Sequence, residues 1–385
     1  MEGALFADFT KAHPDITVEL VGGAAGWGAA EEKLKASLAA GAPINVYQNG
    51  GWAWYDVQSA LIDFTGLLAR DHLDPLKIFM AQTVSAYTIQ GKLGGLALVG
   101  ISQDALAYNQ DLFDTAGLAH PPLDPNDASW TMEKFLEYAE KLTQPDKLVF
   151  GFGGTVSGDG NIGGITGGTY FGQGPWDDKT QKAQMDQPGA IQGLQFFKDL
   201  RDKYKVQPNS DQVKSIGAKG NIFTSGKIGM QVIYGYIPKQ TFRWAIGALP
   251  HTGSQNVSGR QHAQALQATK TARSEQTWTL MKWLMVPANA ARFPLSAQYA
   301  VSPVLDASDL AAKTFQQDVG VDPQAFSLMA QHSREPGWGM RNYPGWDTVL
   351  NWLTSNFPNF DQGKQSATDY GRTATDYINA NLLKS

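Results

Sequence analysis

The residues able to do chemistry are spaced in ways that exclude several common sites. The six histidines, His13, His72, His120, His251, His262 and His332, include no pair four positions apart. No helical face can therefore present the two imidazoles of an HExxH zinc site. Cysteine is absent, which removes a disulfide framework, a thiolate metal centre and a cysteine nucleophile. No GxSxG elbow is present to expose a serine. The string at Gly226 and Lys227 matches a phosphate-binding loop only in part: Gly220 stands one residue too far upstream, and Ile228 replaces the hydroxyl residue that would hold magnesium. Gly158, Gly160 and Gly163 satisfy GxGxxG, but further glycines follow where a helix should begin, so the segment reads as a turning loop and not a dinucleotide site. Among 36 acidic residues, none is marked by its surroundings as one of the two carboxylates that a glycosidase holds at a set separation. A carbohydrate-active enzyme is thus an alternative without a motif. The expectation is a protein that binds without reacting and holds neither metal nor cofactor.

The aromatic residues give a positive indication. Of 11 tryptophans, Trp130, Trp278 and Trp283 fall on helical stripes and read as core. Trp27, Trp52, Trp54, Trp176, Tyr234, Tyr236, Trp338, Tyr343 and Trp346 instead lie in or beside Gly- or Pro-rich loops, and Trp346 also begins a helical stripe. A sugar ring has an apolar C–H face that stacks on a rigid aromatic ring. Its rim of hydroxyls requires planar polar groups. The loops Gln48, Asn49, Gly50, Gly51, Trp52 and Gly337, Trp338, Gly339, Met340, Arg341, Asn342 interleave both kinds.

Those loops need elements to hold them. The chain has 385 residues, 42% hydrophobic and 17% charged, which predicts two domains with real cores. Its net charge of −5 argues against a nucleic-acid partner, for which a basic stripe is expected. No apolar run approaches the ~20 residues that span a bilayer. A helix is expected over 2–12, and a strand where Ile16, Val18 and Leu20 alternate. Another helix runs through Leu34 and Leu38, and a strand over 44–47 opens into the loop NGGWAWYD. Residues 106–108 read as extended. A short helix holds Leu112 and Phe113 and ends at Gly117. Thr131 is the N-cap of a helix with Glu133 in its first turn and a stripe of Phe135, Leu136, Ala139 and Leu142. Helices follow from Pro188, over 275–285, over 346–357 and over 366–383, with strands over 228–233, 244–249 and 264–268. Strands alternating with helices make an α/β protein.

The order of these segments resembles the extracellular solute-binding proteins of bacterial ABC importers, in the carbohydrate-binding, maltose-binding-protein-like group. Residues 106–143, LAYNQDLFDTAGLAHPPLDPNDASWTMEKFLEYAEKLT, are similar to that family's YYN-x-x-LF-x-x-AGL…PP…WTWDEF…A-x-KLT string, with Ala107 and Met132 departing from it. FTSGKIGMQVIYGYIP resembles its F-x-x-GKAAM…G-x-W signature, and GKLGGLALVG its GK-x-Y-G-L-P hairpin. The resemblance implies the two-lobed type II periplasmic-binding-protein fold, with a ligand cleft between lobes joined by crossing segments. The chain would cross near 108, return near 260 and cross again near 305. Residues 1–108 and 260–305 would form one lobe, and 109–259 and 306–385 the other.

By position at strand ends and crossings, the expected ligand contacts are Trp27, Gln48, Asn49, Trp52, Gln103, Asp104, Tyr234, Tyr236, His262 and Gln264; Trp54, Trp176, Trp338, Trp346 and the forked Arg341 join them as residues of the aromatic loops. The resemblance also implies capture of a sugar by hinge closure, delivery to ABC permease subunits, a monomer, and an extracytoplasmic or membrane-anchored location. Family members usually begin with a strand before the first helix, so a strand and an export signal are expected upstream of Met1. A same-fold protein for a phosphate ester or a polyamine is the alternative. It would favour a basic or an acidic cleft, and neither is evident.

Overall fold

A computed structural model describes residues 2–21, 27–42, 44–49, 57–124, 126–154, 171, 173–177, 180–217, 221–234, 239–252, 260–270, 273–293, 301–321, 324–325, 328, 338–339 and 345–382. Its main helices are α1 (Glu2–Ala12), α2 (Trp27–Ala39), α3 (Phe64–Arg70), α4 (Gln110–Ala116), α5 (Met132–Leu142), α6 (Pro188–Asp202), α7 (Ser210–Ile216), α8 (Ser274–Met285), α9 (Ser308–Val319), α10 (Trp346–Asp361) and α11 (Ala367–Asn381). Its main strands are β1 (Val46–Asn49), β2 (Leu96–Asn109), β3 (Phe150–Gly153), β4 (Ile228–Tyr234), β5 (Trp244–Gly247) and β6 (Arg260–Ala268).

The chain divides into two compact units. The first holds Met1–Ser102, Gln261–Asp318 and Met329–Tyr343, and the second Gln103–Arg260, Val319–Leu328 and Pro344–Ser385. The chain therefore passes between units inside β2 and again at the start of β6. The first unit continues to residue 318, and Ala307 and Ala311 are buried in its core together with Phe79 and Val304.

In the first unit, β6 lies between β1 and β2. β1 runs antiparallel to β6, with Val46 opposite Ala268 and Asn49 opposite Ala265. Leu5, Phe6 and Phe9 of α1 pack with Phe64 of α3 and Trp278 of α8 in one core. Edge-to-face rings lock it: Phe6 on Phe293 at 5.9 Å and Phe9 on Trp283 at 5.5 Å. The strand expected at Ile16, Val18 and Leu20 does not form. Ile16 and Val18 lean on the core, whereas Leu20 is 51% and Val21 75% exposed, and this stretch joins no ladder among the described residues. Alternation records which side chains face a core, but a strand also needs a partner for its backbone groups.

In the second unit, the later half of β2 pairs antiparallel with β4, Asp104 opposite Tyr234 and Tyr108 opposite Met230. It also pairs with β5, and β3 runs parallel to β4. Two helix ends fall where expected, at Gly117 and Thr131, and Asn109 supplies a further cap. Asn109 accepts from Leu112 N–H at the start of α4, Gly117 closes that helix at φ 65°, and Thr131 accepts from Lys134 N–H at 3.2 Å. Trp130 and Phe135 are both buried in the core, as a hydrophobic staple requires. Helix α5 approaches β3 so closely that a Cβ at Gly151 would collide with the Ala139 carbonyl; only glycine fits. At the chain's end, Tyr370 of α11 stacks on Phe360 and meets Phe357 edge-on, both from α10. An ion pair of 2.9 Å between Arg201 and Asp361 ties α6 to α10.

Candidate functional site

Ligands of open α/β sheets bind beyond the carboxyl ends of strands; of the described candidates, Gln48 and Asn49 lie at the end of β1 and Tyr234 at the end of β4, and the others stand elsewhere. In the first unit, Gln48 lies near the end of β1. Its Nε2 donates to Oε1 of Gln264 at 2.6 Å. Gln264 is 5% exposed, so its amide plane is held by packing as well as by this bond. The same strand is anchored from below: Tyr87 donates to the Ala263 carbonyl at 2.8 Å, and Gln267 Nε2 to that of Gly94 at 3.0 Å. Paired planar amides on a rigid strand pair are suited to orienting hydroxyl groups.

Several candidates of this unit are described by backbone alone. Trp27 opens α2, Asn49 pairs with Ala265, and His262 lies in β6. Trp338 lies in a two-residue strand that pairs with β6. Trp52, Trp54 and Arg341 lie outside the described residues.

In the second unit, Asp104 is 5% exposed and stands opposite Tyr234 at the carboxyl end of β4. Gln103 and Tyr234 contribute described backbone only, and Tyr236 lies outside the described residues. Trp176 sits on a two-stranded ribbon, opposite Ala183, whose N–H donates to Asn379 of α11 at 2.8 Å. Trp346 is the first residue of α10, described by its backbone. Two glutamines carry no mark in the sequence. Gln207 and Gln231 each carry a buried amide oxygen without a hydrogen-bond partner among the described residues, beside the end of β3. A single glutamine after a helix or within a strand has no period or motif to mark it.

Every carboxyl with a resolved direction is held below its ordinary value: Asp8 by Arg292, Asp71 by Arg70, Asp114 by Arg243, Asp127 by Ser129, Glu137 by Lys134 and Asp202 by Arg201. A general acid needs a raised carboxyl. The Tyr370 hydroxyl is pushed up by burial, inside a hydrophobic cluster. Among the described residues no group of three or more His, Asp or Glu could hold a metal ion, and no helix is long and apolar enough to cross a membrane.

A family model described as bacterial extracellular solute-binding protein matches residues 2–291. A protein of Brucella abortus (strain 2308), named as a binding protein, is 23% identical over 292 residues, 72% of this chain; the chain spans 65% of that relative's length. Among solved structures, the ABC substrate-binding protein Lmo0181 from Listeria monocytogenes, in complex with cycloalternan, superposes with a TM-score of 0.81 at 18% identity, covering 98% of this chain and 94% of its own. Maltose-bound MalE3 from T. maritima superposes with a TM-score of 0.77 at 17% identity, covering 99% and 95%.

Proposed function

Because the chain belongs to the bacterial extracellular solute-binding proteins, we propose that it captures a neutral sugar or oligosaccharide and delivers it to the membrane subunits of an ABC importer, acting outside the cytoplasm as a monomer. The observation that carries the sugar reading is the bonded amide pair of Gln48 and Gln264, placed where the sequence runs into the Trp52 and Trp54 loop. Amides orient hydroxyls and indoles stack on a ring face. The cycloalternan and maltose named in the two related structures support that class. No reaction is performed on the ligand, in keeping with the family of binding proteins to which the chain belongs. The strands in which the chain passes between units, β2 and β6, serve as hinges, and closure follows from a higher affinity of the ligand for the closed state.

Thermal-shift screening against neutral sugars, phosphate esters and polyamines tests this. A ligand bound only by the folded state at about a hundredfold its Kd adds about 2.7 kcal/mol of stability. A sugar should raise the melting temperature by several degrees. A shift with phosphate esters or polyamines and none with sugars refutes the substrate class.

A further inference from the structure

Gln207 is 5% exposed, and its Oε1 finds no donor among the described residues. Turning the amide over does not help, because Nε2 donates to the Gly154 carbonyl and a flip would set oxygen against oxygen. Its backbone is fixed too: Gln207 N–H donates to the Leu200 carbonyl at 3.2 Å, and Phe152 N–H to that of Val206 at 3.0 Å. Gln231 Oε1 is another buried oxygen without a hydrogen-bond partner among the described residues. In the parallel ladder Gln231 stands beside Gly153, and neighbouring strands lie about 4.8 Å apart. The two glutamines thus flank the step from Gly153 to Gly154, at the carboxyl end of β3. A buried amide oxygen without a donor is costly and rare, and it is retained where something else supplies the donor.

We propose that Gln207 and Gln231 are specificity-determining residues that accept hydrogen bonds from hydroxyl groups of a neutral polyhydroxylated ligand, and that this end of the second unit rejects anionic groups. The inference rests on the sugar-binding reading above. Both open valences are acceptors, and an ionised phosphate offers acceptors only, so it would meet oxygen with oxygen. A sugar hydroxyl can donate to one such oxygen and accept elsewhere.

The test uses the full chain, its Gln231→Met and Gln207→Met variants, and calorimetric titration. The probes are glycerol 3-phosphate and the neutral sugar that most raises the wild-type melting temperature in a panel including maltose. Methionine keeps the volume of each side chain and removes the oxygen. Gln231→Met should raise the sugar Kd at least tenfold while the unliganded protein melts at the same or a higher temperature, since an unsatisfied acceptor has gone. Gln207→Met should raise the Kd similarly and melt lower, having lost its bond to Gly154. Wild type should not bind glycerol 3-phosphate. If wild type binds a sugar and both variants match it within twofold, buried water satisfies the oxygens and this assignment alone falls. If wild type binds glycerol 3-phosphate in preference to every sugar, or binds no sugar, both readings fall.

Discussion

At the scale of residues, the sugar-binding proposal divides the tryptophans into those that hold the protein together and those that meet the ligand. Trp130 is 3% exposed, donates from Nε1 to the Ala248 carbonyl at 2.9 Å, and meets Tyr138 edge-on at 5.4 Å. Trp130→Ala should cost about 3–5 kcal/mol of stability, measured by chemical denaturation, and leave the sugar Kd of the folded fraction within twofold. Trp52→Ala should do the reverse, with a Kd raised at least tenfold and a melting temperature that barely moves; the opposite pattern would overturn this division of labour. Helical spacing made Trp130 and Trp278 readable as core, but it could not show that the Trp278 indole donates to Asp71 at 2.8 Å. Polar handles of this kind depend on residues distant in sequence, as do the open valences of Gln207 and Gln231.

Acid stability is set at the same scale. Arg70, Lys282 and the Trp278 indole hold the Asp71 carboxyl well below the ordinary carboxylate range, and Lys134 and Lys141 bring Glu137 down to about 2. A carboxyl whose folded pKa is depressed stabilises the fold fully above its unfolded pKa of about 4 and loses that contribution as pH falls through the folded value. The melting temperature should therefore hold from pH 7 to about 5 and fall from about 4.5 towards 2. Thermal melts across that range check it, and a melting temperature that rises on acidification would contradict the assignment.

At the scale of elements, what is local was legible and what is paired was not. Caps, staples and 3.6-residue stripes are written within a dozen residues, so α5, α6, α8 and α11 lie where the sequence places them. Thr131→Ala removes the cap bond to Lys134 N–H and should cost about 1 kcal/mol, with rescue by Thr131→Ser. A strand is different. The alternation at Ile16, Val18 and Leu20 gives a face but no partner, and no ladder forms there. The approach of α5 to β3 was equally hidden, since Gly151 in a glycine-rich run looks like any loop glycine. Gly151→Ala would drive a methyl group into the Ala139 carbonyl. It should destabilise the second unit by about 1–3 kcal/mol or more, whereas Gly91→Ala, with open space around its Cβ, should cost less despite its positive φ.

At the scale of the whole molecule, the sequence carried the family and the number of units through the order of its segments. The packing of Ala307 and Ala311 that holds α9 with the first unit is tertiary and was not legible in it. The sequence nominated ligand contacts by composition. Of these, the structure brings Gln48 and Gln264 together and sets Asp104 of β2 opposite Tyr234, the last residue of β4; the stacking role of the loop tryptophans remains the central proposal. Titration calorimetry of the full chain with maltose and a wider panel of neutral oligosaccharides, with chromatography of the ligand afterwards, tests that proposal most directly. Saturable one-to-one binding of at least one sugar, recovered unchanged, is expected. Binding of no sugar, or recovery of a cleaved or altered one, would contradict it.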